Sequence, residues 1–81
     1  MNEGALAARF TEALIAAAQE QSGGQSALVS MAMEVIDTRE PARVEAGLQR
    51  KTRTLLFMHA DAFAQNGARI ATASSVHKIK D

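Results

Sequence analysis

The sequence predicts an α+β domain, with one N-terminal helix packed on a four-stranded antiparallel sheet. Three observations lead there. Residues 5–21 are nearly all good helix formers, with apolar side chains at helical spacing. From residue 27 onward the pattern alternates with the period of a strand. Turn signals at Pro41, at Arg50-Lys51-Thr52-Arg53 and at Asn66-Gly67 cut that second part into four strands. One helix followed only by strands gives a helix layer on a meander rather than a parallel sheet with crossovers.

Asn2 suits the N-cap of the helix, and Glu3 suits the positive end of its dipole. Leu6, Phe10, Ala13, Leu14 and Ala17 fall on one face. The opposite side is only half polar, because Ala8, Ile15 and Ala16 lie near Glu12 and Gln19. A helix with two semi-apolar faces is expected to be covered on both. Ser22-Gly23-Gly24 ends it, since glycine enters the left-handed region without steric cost.

The first strand, 27–37, sets Val29, Met31, Met33 and Val35 on one face and Leu28, Ser30, Ala32, Glu34 and Ile36 on the other. Pro41 belongs to the following loop, because it cannot donate to a central ladder. In 42–51, Val44, Ala46 and Leu48 alternate with Glu45, Gly47 and Gln49. Residues 54–65 form the third strand. Asn66-Gly67 predicts a type I′ hairpin, in which both residues take positive φ. The last strand, 69–79, aligns Ile70, Thr72, Ser74 and Val76 on one face.

With 81 residues the chain makes a single domain, 1–81. It has no cysteine, tryptophan or tyrosine and only three phenylalanines, yet 47% of it is apolar through its many alanines. Such a core buries little area per residue, which favours sharing it with a partner. Nine Lys and Arg balance nine Asp and Glu, so there is no electrostatic case for nucleic acid or an anionic membrane. No apolar run approaches the roughly 18 residues of a membrane span. Met1-Asn2-Glu3-Gly4 lacks the basic and apolar regions of a signal peptide, so a cytoplasmic location is expected. His59 and His77 stand apart on different strands, and neither metal nor cofactor is called for.

Arg43-Val44-Glu45-Ala46, Arg53-Thr54-Leu55-Leu56-Phe57 and Gly67-Ala68-Arg69-Ile70-Ala71-Thr72-Ala73-Ser74-Ser75-Val76-His77-Lys78-Ile79 closely resemble the last three strands of one family. It is the hotdog thioesterases of the phenylacetate-pathway and 4-hydroxybenzoyl-CoA type, and the resemblance runs from Glu3 to Ile79. It implies a hotdog fold with strand 42–51 at the outer edge, then 54–65, then 69–79. Strand 27–37 then lies at a seam, paired with its copy in a homodimer or homotetramer. The implied substrate is an acyl-CoA, hydrolysed at a site on the dimer interface.

Residue by residue, Glu3-Gly4-Ala5 stands where the family has His-Gly-Gly. Glu12 falls at the spacing of the family's acid, and Ser30 at a polar position on the next strand. The resemblance implies that Glu12 is nucleophile or general base and that the Gly4 and Ala5 N–H groups hold the thioester oxygen. Acid and donors come from different subunits. Arg50, Lys51 and Arg53 suit the phosphates of coenzyme A.

Each residue has a plainer reading beside this one. Glu12 could be a solvated helix glutamate, Gly4 an entry to the helix, Ser30 a tolerated strand serine and the basic turn merely exposed. Met31, Met33 and Met58 read as core filler. Two functions from different classes therefore stand. One is thioester hydrolysis, favoured by Glu12 at family spacing. The other is a non-catalytic hotdog that binds acyl-CoA or only mediates oligomerisation. It is favoured by Glu3 in place of His and by the lack of a counterpart to the family's first strand, as expected of a minimal form or a fragment.

Overall fold

In the computed structural model, which describes Met1–Lys80, helix α1 spans Glu3–Ser22. Asn2 is extended, and its Oδ1 accepts the Ala5 N–H at 2.9 Å, satisfying a donor with no partner in the helix. At the other end Gly23 takes φ 62°, and the Gly24 N–H donates to the Gln19 carbonyl at 2.8 Å. Leu6, Phe10, Leu14 and Ala18 form the buried stripe; Ala13 and Ala17 flank it, half-buried.

Four strands follow: β1 (Ser26–Val35), β2 (Arg43–Lys51), β3 (Leu55–Phe63) and β4 (Arg69–Ile79). All pairings are antiparallel, in the order β1-β4-β3-β2. This is the order expected above, with β1 and β2 at the two edges. Under the helix the register aligns Met33, Ala73, Ala60 and Ala46 across the sheet, and beside them Val35, Ala71, Ala62 and Val44. Seven of those eight positions are alanine or valine, so the helix approaches closely. Phe10, Leu6, Leu14, Leu56, Met58 and Ile70 supply most of the bulk.

Three expectations are corrected. Ile70 does not go with Thr72, Ser74 and Val76: it is buried in the core, whereas those three lie on the side away from the helix. The helix-facing set is Ala71, Ala73, Ser75 and His77, all buried. Val29 does not share the inner face with Met31, Met33 and Val35. The β1–β4 register shifts between Leu28 and Ser30, which leaves Val29 in the irregularity and 63% exposed. The hairpin is not type I′, because among the described residues none other than glycine has positive φ, Asn66 included. Instead Gly67, at φ 88°, donates its N–H to the Ala64 carbonyl at 2.9 Å, and Ala64 N–H donates to the Ala68 carbonyl at 2.9 Å. Asn66 Oδ1 accepts the Ala68 N–H at 3.0 Å. A loop this long needs only its last residue left-handed.

Candidate functional site at the helix start and the open sheet edge

Gly4 and Ala5 lie in the first turn of α1, exposed. They are not equivalent. The Ala5 N–H is engaged by the Asn2 cap, and the Leu6 N–H donates to the Asn2 carbonyl at 3.0 Å. The N–H groups of Glu3 and Gly4 have no helical acceptor so near the start. Gly4 is therefore the donor left for an anion. A Cβ at Gly4 would stand 3.3 Å from Asn2 Oδ1, so a side chain there would press on the cap.

Glu12 is exposed and makes no hydrogen bond or ion pair among the described residues. It lies eight residues beyond Gly4, about 12 Å along the helix at 1.5 Å per residue. One thioester carbonyl cannot touch both groups of one chain. Ser30 is on the sheet face turned away from α1, opposite Val76 and out of step with Met31. The structure does not bring it to Glu12.

The basic residues also separate. The Arg50 guanidinium sits 5.7 Å from the Phe57 ring centroid on the outer face. Lys51 Nζ donates to the Gln21 carbonyl at 3.1 Å, on the helix side. That placement sets a cation at the negative end of the helix dipole. Arg53 is exposed in the β2–β3 turn.

The two edges differ in chemistry. Along β1 the only charge is Glu34, and Leu28, Val29 and the following Ile36 are exposed large apolar side chains. β2 carries Arg43, Glu45, Arg50 and Lys51 and is irregular between Leu48 and Arg50. Each edge has one irregularity, so the difference is charge, which discourages an edge from adding a strand and which β1 lacks over most of its length.

Sequence reasoning missed one buried polar pair. Ser75 Oγ and His77 Nε2 lie 2.8 Å apart, 4% and 1% exposed, on the helix-facing side of β4. The signal was there as a strand period, since residues two apart share a face. At the same end of the domain, Ser26 Oγ and Gln19 Oε1 are buried without a partner among the described residues. Burial holds the His77 imidazole below its ordinary value of 6.5. The fold thus binds the neutral ring, and the unfolded chain takes up the proton first as pH falls. This contribution to stability is present above about 6.5 and is lost as pH drops through the folded value. Wild-type unfolding midpoints should fall from pH 7.5 to 5. In Ser75→Ala/His77→Leu that part of the slope should vanish; an unchanged slope would assign it elsewhere.

Among the described residues no group of three or more His, Asp or Glu is placed to hold a metal ion. Nor is any described helix long and apolar enough to cross a membrane.

No family model and no curated protein matches the chain. Solved structures do. A Bacillus halodurans protein crystallised with CoA superposes with TM-score 0.86 at 12% identity, covering 98% of this chain and 55% of that one. A Thermus thermophilus thioesterase complexed with coenzyme A and Zn gives 0.77 at 17%, covering 100% and 66%. A phenylacetic acid degradation-related protein from Ralstonia eutropha gives 0.75 at 19%, covering 98% and 62%. The chain thus spans 55–66% of the length of these structures. At such identities the likeness is one of fold. One N-terminal helix on a four-stranded antiparallel sheet, ordered β1-β4-β3-β2 and superposing on these proteins, makes the chain a hotdog fold.

Proposed function

We propose that the protein hydrolyses an acyl-CoA thioester as a symmetric dimer, at a site built from two chains. The observation that carries this reading is the unengaged Glu12 carboxylate on the exposed side of a helix whose first turn keeps Gly4 N–H free. Their separation within one chain, about 12 Å, calls for a second copy. Antiparallel pairing of β1 edges about a twofold axis would set two α1 helices side by side on one continuous sheet. Glu12 then faces the partner's Gly4. Two of the proteins alike in fold were crystallised with coenzyme A, which supports a CoA ester as ligand.

In this arrangement the thioester carbonyl lies between the two groups. Glu12 takes a proton from water as the oxygen adds to the carbonyl carbon, or its own oxygen adds directly. The partner's Gly4 N–H, with the helix dipole behind it, stabilises the oxyanion. The carbon–sulfur bond then breaks. On the first route the protonated Glu12 returns its proton to the departing sulfur; on the second coenzyme A leaves as the thiolate and water hydrolyses the mixed anhydride, restoring the Glu12 carboxylate. Lys51 and Arg53, at the far end of the same helix and in the next turn, suit the phosphates of coenzyme A; Arg50 is turned to the other face. This arrangement leaves out Ser30, which lies on the sheet face turned away from α1.

Glu3, in the first turn beside the oxyanion donor, favours the second reading, a hotdog that binds acyl-CoA without hydrolysing it. A negative charge there opposes the developing oxyanion. Glu3→His is expected to raise thiol release by roughly 10-fold, a fraction of what a whole oxyanion donor contributes. Free-thiol detection across short, medium and aromatic acyl-CoAs reads this out. No release by wild type and none by Glu3→His would leave the binding reading in its place.

A further inference from the structure

The sheet face turned away from α1 carries no helix, and its side chains make a trough. Its floor is the cross-strand row Ala32, Ser74, His59 and Gly47, in which three of four residues are small. Gly47 keeps the floor low beside the imidazole: a Cβ there would fill the space up to van der Waals contact, 3.9 Å from His59 Cε1. Two adjoining hollows of about 500 and 300 Å³ share Ala32, Gln49 and Ser74.

The two walls differ in chemistry. On one side the row Glu34, Thr72, Asp61 presents carboxylates flanking a threonine. Asp61 lies 3.6 Å from Arg69, and in the same row Glu45 is held by Arg43 at 2.6 Å. Glu34 has no cationic partner among the described residues. On the other side Val76 and Phe57 are half-buried, with the Arg50 guanidinium over the phenyl ring. Thr72 and Val76 are four residues apart along β4, about 13 Å at strand rise.

We infer that this trough binds a small organic ammonium ion carrying an apolar group. The ammonium pairs with Glu34 and the apolar group rests on Val76 and Phe57. Arg69 lines the Glu34 end but is paired with Asp61, which leaves Glu34 unspent there. Arg50 at the apolar end has no carboxylate partner among the described residues and would repel a cation. Ser74 and Gln49, exposed between the two ends, supply hydrogen bonds to the middle of the ligand. The hollows are in the size range of small-molecule sites. The trough is on the opposite face from Glu12, so its occupancy stands or falls apart from thioester hydrolysis.

Tryptamine is a suitable probe, with tryptophol and indoleacetate as its neutral and anionic counterparts. Titration of the full chain, followed by amide NMR, should give saturable shifts at Glu34, His59, Ser74 and Val76. The dissociation constant should be on the order of millimolar for a ligand this small. The alcohol and the acid should bind more weakly, and Glu34→Gln should weaken tryptamine by about 2–5-fold, as expected of an exposed ion pair. Equal binding of all three compounds, or an unchanged affinity in Glu34→Gln, would overturn the assignment. So would an absence of shifts, the result expected if another copy covered this face.

Discussion

Glu12→Ala should lower acyl-CoA turnover by about 10²–10⁴-fold, the usual contribution of a positioned acid or base. The substitution is unusually clean. Glu12 is exposed and bonded to nothing among the described residues, and alanine is the better helix former. The urea midpoint should therefore stay level or rise slightly while thiol release collapses. A variant that keeps turnover within a few-fold of wild type would remove Glu12 from the chemistry. Loss of turnover together with a lowered urea midpoint would point to unfolding instead.

The second large effect is expected at the β1 edge. Val29 and Ile36 are 63% and 56% exposed in the single chain, far more than side chains of their size need be. Burying such a side chain contributes about 1.5–3 kcal/mol. Val29→Lys/Ile36→Lys would put two cations into a seam that the wild type fills with apolar surface, and lysine is a common guard of free edges. Sedimentation should show the dimer dissociation constant raised by at least about 100-fold. Thiol release should fall with it, because each site draws on two chains. Comparable substitutions on β2, such as Leu48→Lys, should leave assembly unchanged, since that edge already carries Arg43, Arg50 and Lys51. If β1 variants stay dimeric, the seam lies elsewhere.

The parts of the fold legible in the sequence were those where one physical signal dominated. The helix start could be read because Asn2 is a strong cap, and its end because two glycines stop it. Strand order followed from the family resemblance. The faces were harder. In β4 the two alternating sets are Ala71, Ala73, Ser75, His77 and Thr72, Ser74, Val76, and neither is clearly the more apolar. The inner set won because small side chains admit the helix, a tertiary demand that local pattern does not carry. The irregularity at Val29 and the longer hairpin at Asn66-Gly67 likewise depend on pairing across the sheet.

The candidate site was legible as residue types and not as geometry. The family resemblance singled out Glu12, Gly4 and Ala5, yet the fold decides that the Asn2 cap takes the Ala5 N–H and leaves Gly4. Ser30 came from the resemblance alone, whereas Arg50, Lys51 and Arg53 were grouped by nearness in sequence. In a strand, neighbours point to opposite faces, and Arg50 and Lys51 duly part, one to Phe57 and one to Gln21.

Release of free thiol from an acyl-CoA by wild-type protein, followed over a dilution series that spans dimer dissociation, tests the central claim most directly. A thioesterase with Glu12 and Gly4 on different chains should turn over many equivalents at high concentration, and turnover per chain should fall in step with the dimer fraction. Thiol release that stays at the buffer rate at every concentration, or turnover per chain that persists in the monomer, would contradict it.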